Sequence, residues 1–173
     1  MNLQPNALAF IALCNEYCHA IENARESGRG EFIGSMLRLL PRLYIAASDL
    51  GVGDIGDDES YIDSVLDEDY YESLRRSVEN LMGADDTYLE VFEDDMKYSD
   101  TPIAASVAEG LCDIFQSLFN FLETIRNAPD EVTLVALGVA KDDFKAYWSR
   151  ILCNVMRPLN ALRDIDGDED GSL

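Results

Sequence analysis

Apolar positions recur along this chain with a helical period. Ala7, Phe10, Ile11, Cys14, Tyr17, Cys18 and Ile21 fall at i, i+3, i+4 and i+7 spacing, one stripe of a 3.6-residue helix. They predict a first helix from about Pro5 to Ser27, ended by Ser27-Gly28-Arg29-Gly30, because glycine relieves the left-handed conformation at a helix C-terminus. Ile33, Met36, Leu37, Leu40, Leu43, Tyr44 and Ala47 predict a second helix from about Glu31 to Leu50, kinked at Pro41, where a backbone donor is missing. Asp67 is a good N-cap for a third helix, which buries Tyr71, Leu74, Val78 and Leu81 and stops at Gly83. A short fourth helix is predicted over about Asp85 to Lys97. A fifth starts at Thr101-Pro102 and carries Ile103, Val107, Leu111, Ile114, Leu118, Phe121 and Ile125 to Arg126. A sixth spans about Glu131 to Leu162 and bends near Pro158. No strand is expected. About six helices with short connections, each with one apolar face, describe an all-α, single-domain bundle. The bundle is expected over residues 1–163, with an acidic loop at 51–66 inside it and an acidic, disordered tail at 164–173.

Composition narrows the function classes. Of 173 residues, 13 are basic and 34 acidic, a net charge of −21 that repels phosphate backbones and anionic membranes. Nucleic acid and membrane are therefore not expected partners, whereas basic proteins and divalent cations remain compatible. Apolar residues make up 47% of the chain, enough for a folded core without disulfides. Cys14, Cys18, Cys112 and Cys153 form no dense framework of the secreted kind, so free thiols in a reducing cytoplasm are expected. The opening MNLQPNALAF has no positive region before its apolar stretch and does not read as a signal peptide.

The block YLEVFEDDMKYSDTPIAASVAEGLCDIFQSLFNFLE, Tyr88 to Glu123, resembles the signature of a bacterial helical family, domain of unknown function five thousand and sixty-three. LLPRLY at Leu39–Tyr44 and FKAYWSRILCNVMRPLNAL at Phe144–Leu162 support the resemblance, which covers nearly the whole chain. Two positions depart from the family pattern: Pro158 stands where a helix former is usual, and Asn160 where His is usual. The resemblance implies a compact helical protein of the bacterial cytoplasm. It implies no activity.

Several motifs bear on chemistry. GVGDIG, Gly51 to Gly56, matches a dinucleotide-binding turn but follows a predicted helix, opens none, and is crowded by Asp49, Asp54, Asp57, Asp58 and Glu59. That context does not suit a pyrophosphate. The strongest constellation is carboxylate: Glu90 and Glu93 on the predicted fourth helix, Glu109 and Asp113 one turn apart on the fifth. On facing helices these four residues form a candidate Mg²⁺ site, since Mg²⁺ favours oxygen ligands and keeps several waters. All-α nucleotide pyrophosphohydrolases use a similar arrangement. On a helical wheel, however, Glu90 and Glu93 point away from the apolar arc, and Glu109, Asp113, Gln116 and Asn120 lie opposite Val107, Leu111 and Leu118, so both faces read as solvated. Asp95 falls inside the predicted apolar arc and there needs a partner. The tail Asp166-Gly-Asp168-Glu-Asp170-Gly171 opens like a calcium loop but lacks its twelfth-position Glu. His19 projects about 100° away from Cys18 on its helix, so no Cys–His site converges. With no ordered catalytic set and no cofactor implied, the chain reads first as a non-enzymatic protein-interaction or regulatory module with a protein partner. The alternative is a divalent-metal-dependent hydrolase like the all-α nucleotide pyrophosphohydrolases. A second alternative is an acidic nucleic-acid mimic.

Overall fold

The computed structural model describes residues 3–51, 62–90, 94–98 and 100–164, without the side chain of Asp95. Helix α1 (Pro5–Glu22) opens on a proline, whose fixed φ suits a first turn. It ends sooner than expected, because a 3₁₀ turn, Ala24–Glu26, takes over before Ser27. Helix α2 (Arg29–Ser48) runs on through Pro41. The two stripes are buried much as their period requires, with Leu13, Phe32 and Leu39 added. Ile11 and Leu37 are only partly buried, and Tyr44 is 40% exposed and packs edge-on against Phe144. At the start of α2, Arg29 reaches the end of the third helical segment, where its guanidinium bonds the Met82 carbonyl at 2.9 Å and pairs with Asp85.

Helix α3 (Glu68–Met82) is capped by Asp67, whose carboxylate accepts the Asp69 N–H at 3.0 Å. It stops at Gly83, which takes φ = 60°, a left-handed value that glycine adopts without strain. From here the structure corrects the sequence reading. The helix expected over Asp85 to Lys97 does not form. A 3₁₀ turn (Gly83–Asp86) leads into strand β1 (Thr87–Leu89), and a second 3₁₀ turn covers Asp94–Lys97. Strand β1 pairs antiparallel with β2 (Ala104–Ser106): Thr87 lies opposite Ser106, Tyr88 opposite Ala105, Leu89 opposite Ala104. The Glu90 N–H extends the ladder to the Ile103 carbonyl at 2.8 Å.

Helix α4 (Val107–Ile125) therefore begins after β2 and not at Thr101-Pro102, with Ser106 Oγ capping the Glu109 N–H at 3.1 Å. The physical reason is Asp86. It is only 5% exposed, and its carboxylate accepts the Ser106 hydroxyl at 2.6 Å and the Ala108 N–H at 2.8 Å. That tie holds residue 86 against the start of α4 and gives the following residues a strand partner. Helix propensity is a weak prior, and bonds between distant residues outweigh it.

Helix α5 (Asp130–Asp143), a π-helical turn (Phe144–Trp148) and helix α6 (Ser149–Ala161) follow one another without a break. The π turn was not signalled by the apolar period. It buries Phe144 and Trp148, whose rings meet at 4.6 Å.

Helix α4 is the axis of the molecule and packs against α1, α3, α5 and α6. Phe121 meets Phe10 of α1 at 5.5 Å, and the buried Tyr17 hydroxyl donates to the Leu111 carbonyl at 2.6 Å. A Cβ on Gly110 would lie 2.5 Å from Val155 Cγ1, so glycine is what lets α6 close on α4. Asn120, expected on a solvated face, is buried. Its Oδ1 accepts the Val65 and Leu66 N–H groups at 3.1 and 3.0 Å, which fastens the chain ahead of α3.

The architecture is the expected all-α bundle around a hydrophobic core, with a two-stranded sheet added. Among the described residues, no helix is long and apolar enough to cross a membrane. The GVGDIG motif beyond Gly51, Glu93, the Asp95 side chain and the acidic tail from Ile165 onward lie outside the described residues.

Candidate binding pocket

A strand, a helix start and a second helix converge beside the sheet. Alternate side chains of extended chain share a face, so Tyr88 of β1 and Glu90 just after it stand together, and the Tyr88 hydroxyl reaches Glu90 Oε1 at 3.3 Å. In α4 residues four apart share a face, which aligns Glu109 with Asp113. Helix α6 brings Arg150, Ile151 and Asn154 across the gap that Gly110 permits. Between them lies a cavity of about 330 Å³, walled also by Ile103, Ala104 and Ala105 of the β2 side.

Three of the four carboxylates proposed from sequence, Glu90, Glu109 and Asp113, line this one cavity. They were expected on solvated faces. Glu109 is exposed, but Glu90 and Asp113 are half-buried. Glu90 Oε2 is shielded from solvent and has no hydrogen-bond partner among the described residues. The helical wheel misplaced Glu90 because that residue directly follows a strand and continues its ladder through one backbone bond.

The electrostatics follow from burial. Desolvation raises the Asp113 carboxyl above its ordinary range, and neighbouring Glu109 adds to this; the Tyr71 hydroxyl, donating to Oδ1 at 2.6 Å, opposes it. Desolvation also raises the Tyr71 and Tyr88 hydroxyls, the first helped by Asp113 and the second by Glu90. Tyr147, from the π turn, is raised by burial and by the fields of Asp113, Asp143 and Glu109.

A second cleft of about 380 Å³ adjoins the first and shares Ser106 and Glu109 with it. Its outer wall is Arg75, held by Glu72 at 2.9 Å and by Glu79 at 2.6 Å. Elsewhere, His19 lines a separate groove between α1 and α4 with Cys18 and Glu22. Burial holds the Cys14 and Cys18 thiols well above their ordinary range and pushes Cys112 up to about 12, so all three stay protonated at neutral pH. Among the described residues, no three His, Cys, Asp or Glu side chains are grouped so that they could hold a metal ion.

Sequence reasoning missed Tyr71, Tyr88, Arg150 and Asn154. The signals were faint: a Thr-Tyr pair of strand formers in a stretch read as helix, and a lone glycine inside α4.

A family model, domain of unknown function (DUF5063), matches residues 1–164. The chain belongs to the DUF5063 family. Among solved structures, it is similar to protein BF1032 from Bacteroides fragilis, at 28% identity over 92% of each chain and with a TM-score of 0.79. No curated protein matches it. The DUF5063 match spans every element that builds the pocket, from β1 to α6. The family description states no activity, so function rests on the chemistry of the pocket itself.

Proposed function

We propose that the chain is a non-enzymatic protein-interaction module whose acidic pocket takes a basic segment of a partner protein. The carrying observation is the acidic lining of one cavity by Glu90, Glu109 and Asp113. Carboxylates gathered on one concave face attract a cationic side chain more strongly than the same charges spread over a convex surface. The net charge of −21 favours rapid approach of a basic partner. The protonated state of the three buried thiols supports a binding role over nucleophilic catalysis. In a reducing cytoplasm, where we place the protein, the cysteines stay free. Fluorescence anisotropy with a labelled octalysine peptide tests the proposal, with octaglutamate as control. Octalysine should bind at low ionic strength and weaken at least about tenfold near 0.5 M salt, where charges are screened within a few ångströms. Absence of binding at low salt would refute it.

One observation favours a second reading. Glu90, Glu109 and Asp113, assigned from sequence to Mg²⁺ together with Glu93, share the cavity, although no three described side chains are grouped closely enough to hold the ion as they stand. A midpoint of thermal unfolding that rises with Mg²⁺ and no longer does so in Glu109→Ala/Asp113→Ala would support a metal-dependent hydrolase acting on nucleotides. A flat response would count against it.

A further inference from the structure

We infer that the outer edge of β2 receives an extended, basic segment of a partner protein as a third strand of the sheet. The inference rests on the interaction reading and specifies the conformation in which the segment binds. It starts from register. In an antiparallel pair, residues that exchange backbone bonds alternate with residues whose N–H and C=O point away from the partner strand. The Glu90 N–H bonds the Ile103 carbonyl, which makes those two a bonded pair. Tyr88 and Ala105 form the next, so Leu89 and Ala104, which lie opposite each other between them, turn their backbone groups outward. Leu89 bears this out: its carbonyl accepts from Arg157 of α6, outside the sheet.

The two edges are thus unlike. The edge of β1 is met by Arg157. On the edge of β2, the Ala104 N–H and C=O have no hydrogen-bond partner among the described residues, and Ala104 is exposed. Proteins blunt a bare edge with charged side chains, prolines or bulges. Ala104-Ala105-Ser106 carries no charge and no proline, and its register is unbroken. The cavity follows this edge. Ile103, Ala104, Ala105 and Ser106, from both faces of the sheet, all line it, whereas the β1 side lends only Tyr88 and Glu90, from one face. Charge selects the occupant. A second copy of the chain also carries −21 and is repelled, so two β2 edges do not pair. A basic segment is attracted: Glu90, Glu109 and Asp113 stand against Arg150 among the described lining residues, and Glu109 is exposed. In strand addition main-chain bonds give affinity, and alternate side chains give selectivity. Every second side chain of the added strand would face the acidic wall.

The test uses an octamer of alternating lysine and threonine on the full chain, by anisotropy at low salt. Its counterpart is the same octamer N-methylated along the backbone, which keeps the charge and side chains and loses the amide donors. The plain peptide should bind at least about tenfold more tightly, since its bonds to the edge of β2 are lost on methylation. Ala104→Pro removes an outward N–H and no ladder bond, which an edge strand tolerates. It should lower affinity for the plain peptide at least about tenfold and bring the two peptides level. Leu89→Pro makes the same change directly across the ladder, on the edge of β1, and should cost less than about twofold. Exchange of the Ala104 amide should slow at least about tenfold in the saturated complex, while that of Leu89 stays as it was. Equal binding of the plain and methylated peptides by the unaltered protein overturns the inference without recourse to any variant. So does an Ala104 amide left unprotected in the complex. A Leu89→Pro loss as large as that of Ala104→Pro also overturns it, because the sheet as a whole and not one edge would then be what matters. Each of these results leaves the interaction reading standing, whereas failure of both peptides and of octalysine to bind refutes both.

Discussion

Helices α1 and α2 and the stretch from Gly83 to Asp113 obey different rules. In α1 and α2, burial follows the local period, and each apolar stripe turns toward the core as a regular helix requires. Between Gly83 and Asp113, side-chain hydrogen bonds across sequence decide the backbone: Asp86 to Ser106 and Ala108, Ser106 to Glu109, Asp113 to Tyr71. The first region shows how the chain folds. The second holds its polar groups in place through one another, and it walls the acidic pocket proposed to bind a partner.

The contrast can be broken most forcefully in the core. Phe10 is fully buried against Phe121, so Phe10→Ala should cost about 3–5 kcal/mol in urea unfolding. A cost below about 1 kcal/mol would mean that the stripe is not what holds α1 in place.

Asp86→Ala comes next. It leaves the Ser106 hydroxyl and the Ala108 N–H without their acceptor, at a cost of about 2–3 kcal/mol. Its signature should be local. Hydrogen exchange at the Glu90 amide, bonded to Ile103, should accelerate while amides in α1 stay protected. Uniform acceleration would erase the distinction between the two regions.

Gly110→Ala forces a methyl into Val155. Overpacking at about 1–3 kcal/mol outweighs the gain of up to about 1 kcal/mol from replacing a helical glycine, for a modest net loss. A net gain would mean that α6 can yield, and that the pocket wall is softer than its geometry implies.

The smallest effect concerns Asp113. Burial first, and Glu109 second, raise its carboxyl in the folded state over the opposing Tyr71 bond. The folded protein therefore holds this proton to higher pH than the unfolded chain does. The stabilising contribution is full below the unfolded pKa and is lost as pH rises through the folded value. Asp113→Asn should accordingly raise the thermal midpoint slightly at neutral pH, and the gain should vanish in acid, where both carboxyl forms are neutral. A gain that persists at low pH would assign the effect to packing and not to charge.

Legibility in the sequence divides along the same line. The bundle, the Asp67 cap and most of the core stripes were readable, because period and capping are local properties. The sheet was not. Tyr88 and Leu89 fit a helical arc equally well, and the bonds that Asp86 accepts from Ser106 and Ala108 select the strand. Of the pocket, Glu90, Glu109 and Asp113 were recognised as a chemical set; the wheel placed Glu109 correctly in solvent, failed for Glu90 because that residue is not helical, and missed the half-burial of Asp113 because the Tyr71 hydroxyl comes from another helix. Asn120 was misjudged for a related reason. Its burial comes from the chain at Val65 and Leu66, which crosses α4 and leaves no trace in the local pattern.

The most direct measurement is amide chemical-shift mapping of octalysine binding at low salt. The expected result is a compact set of shifts around Tyr88–Glu90, Ala104–Asp113 and Arg150–Asn154, which collapses in high salt. Shifts centred instead on the acidic positions of α1 and α2, or spread evenly over every acidic face, would contradict a built site beside the sheet and leave only general charge attraction.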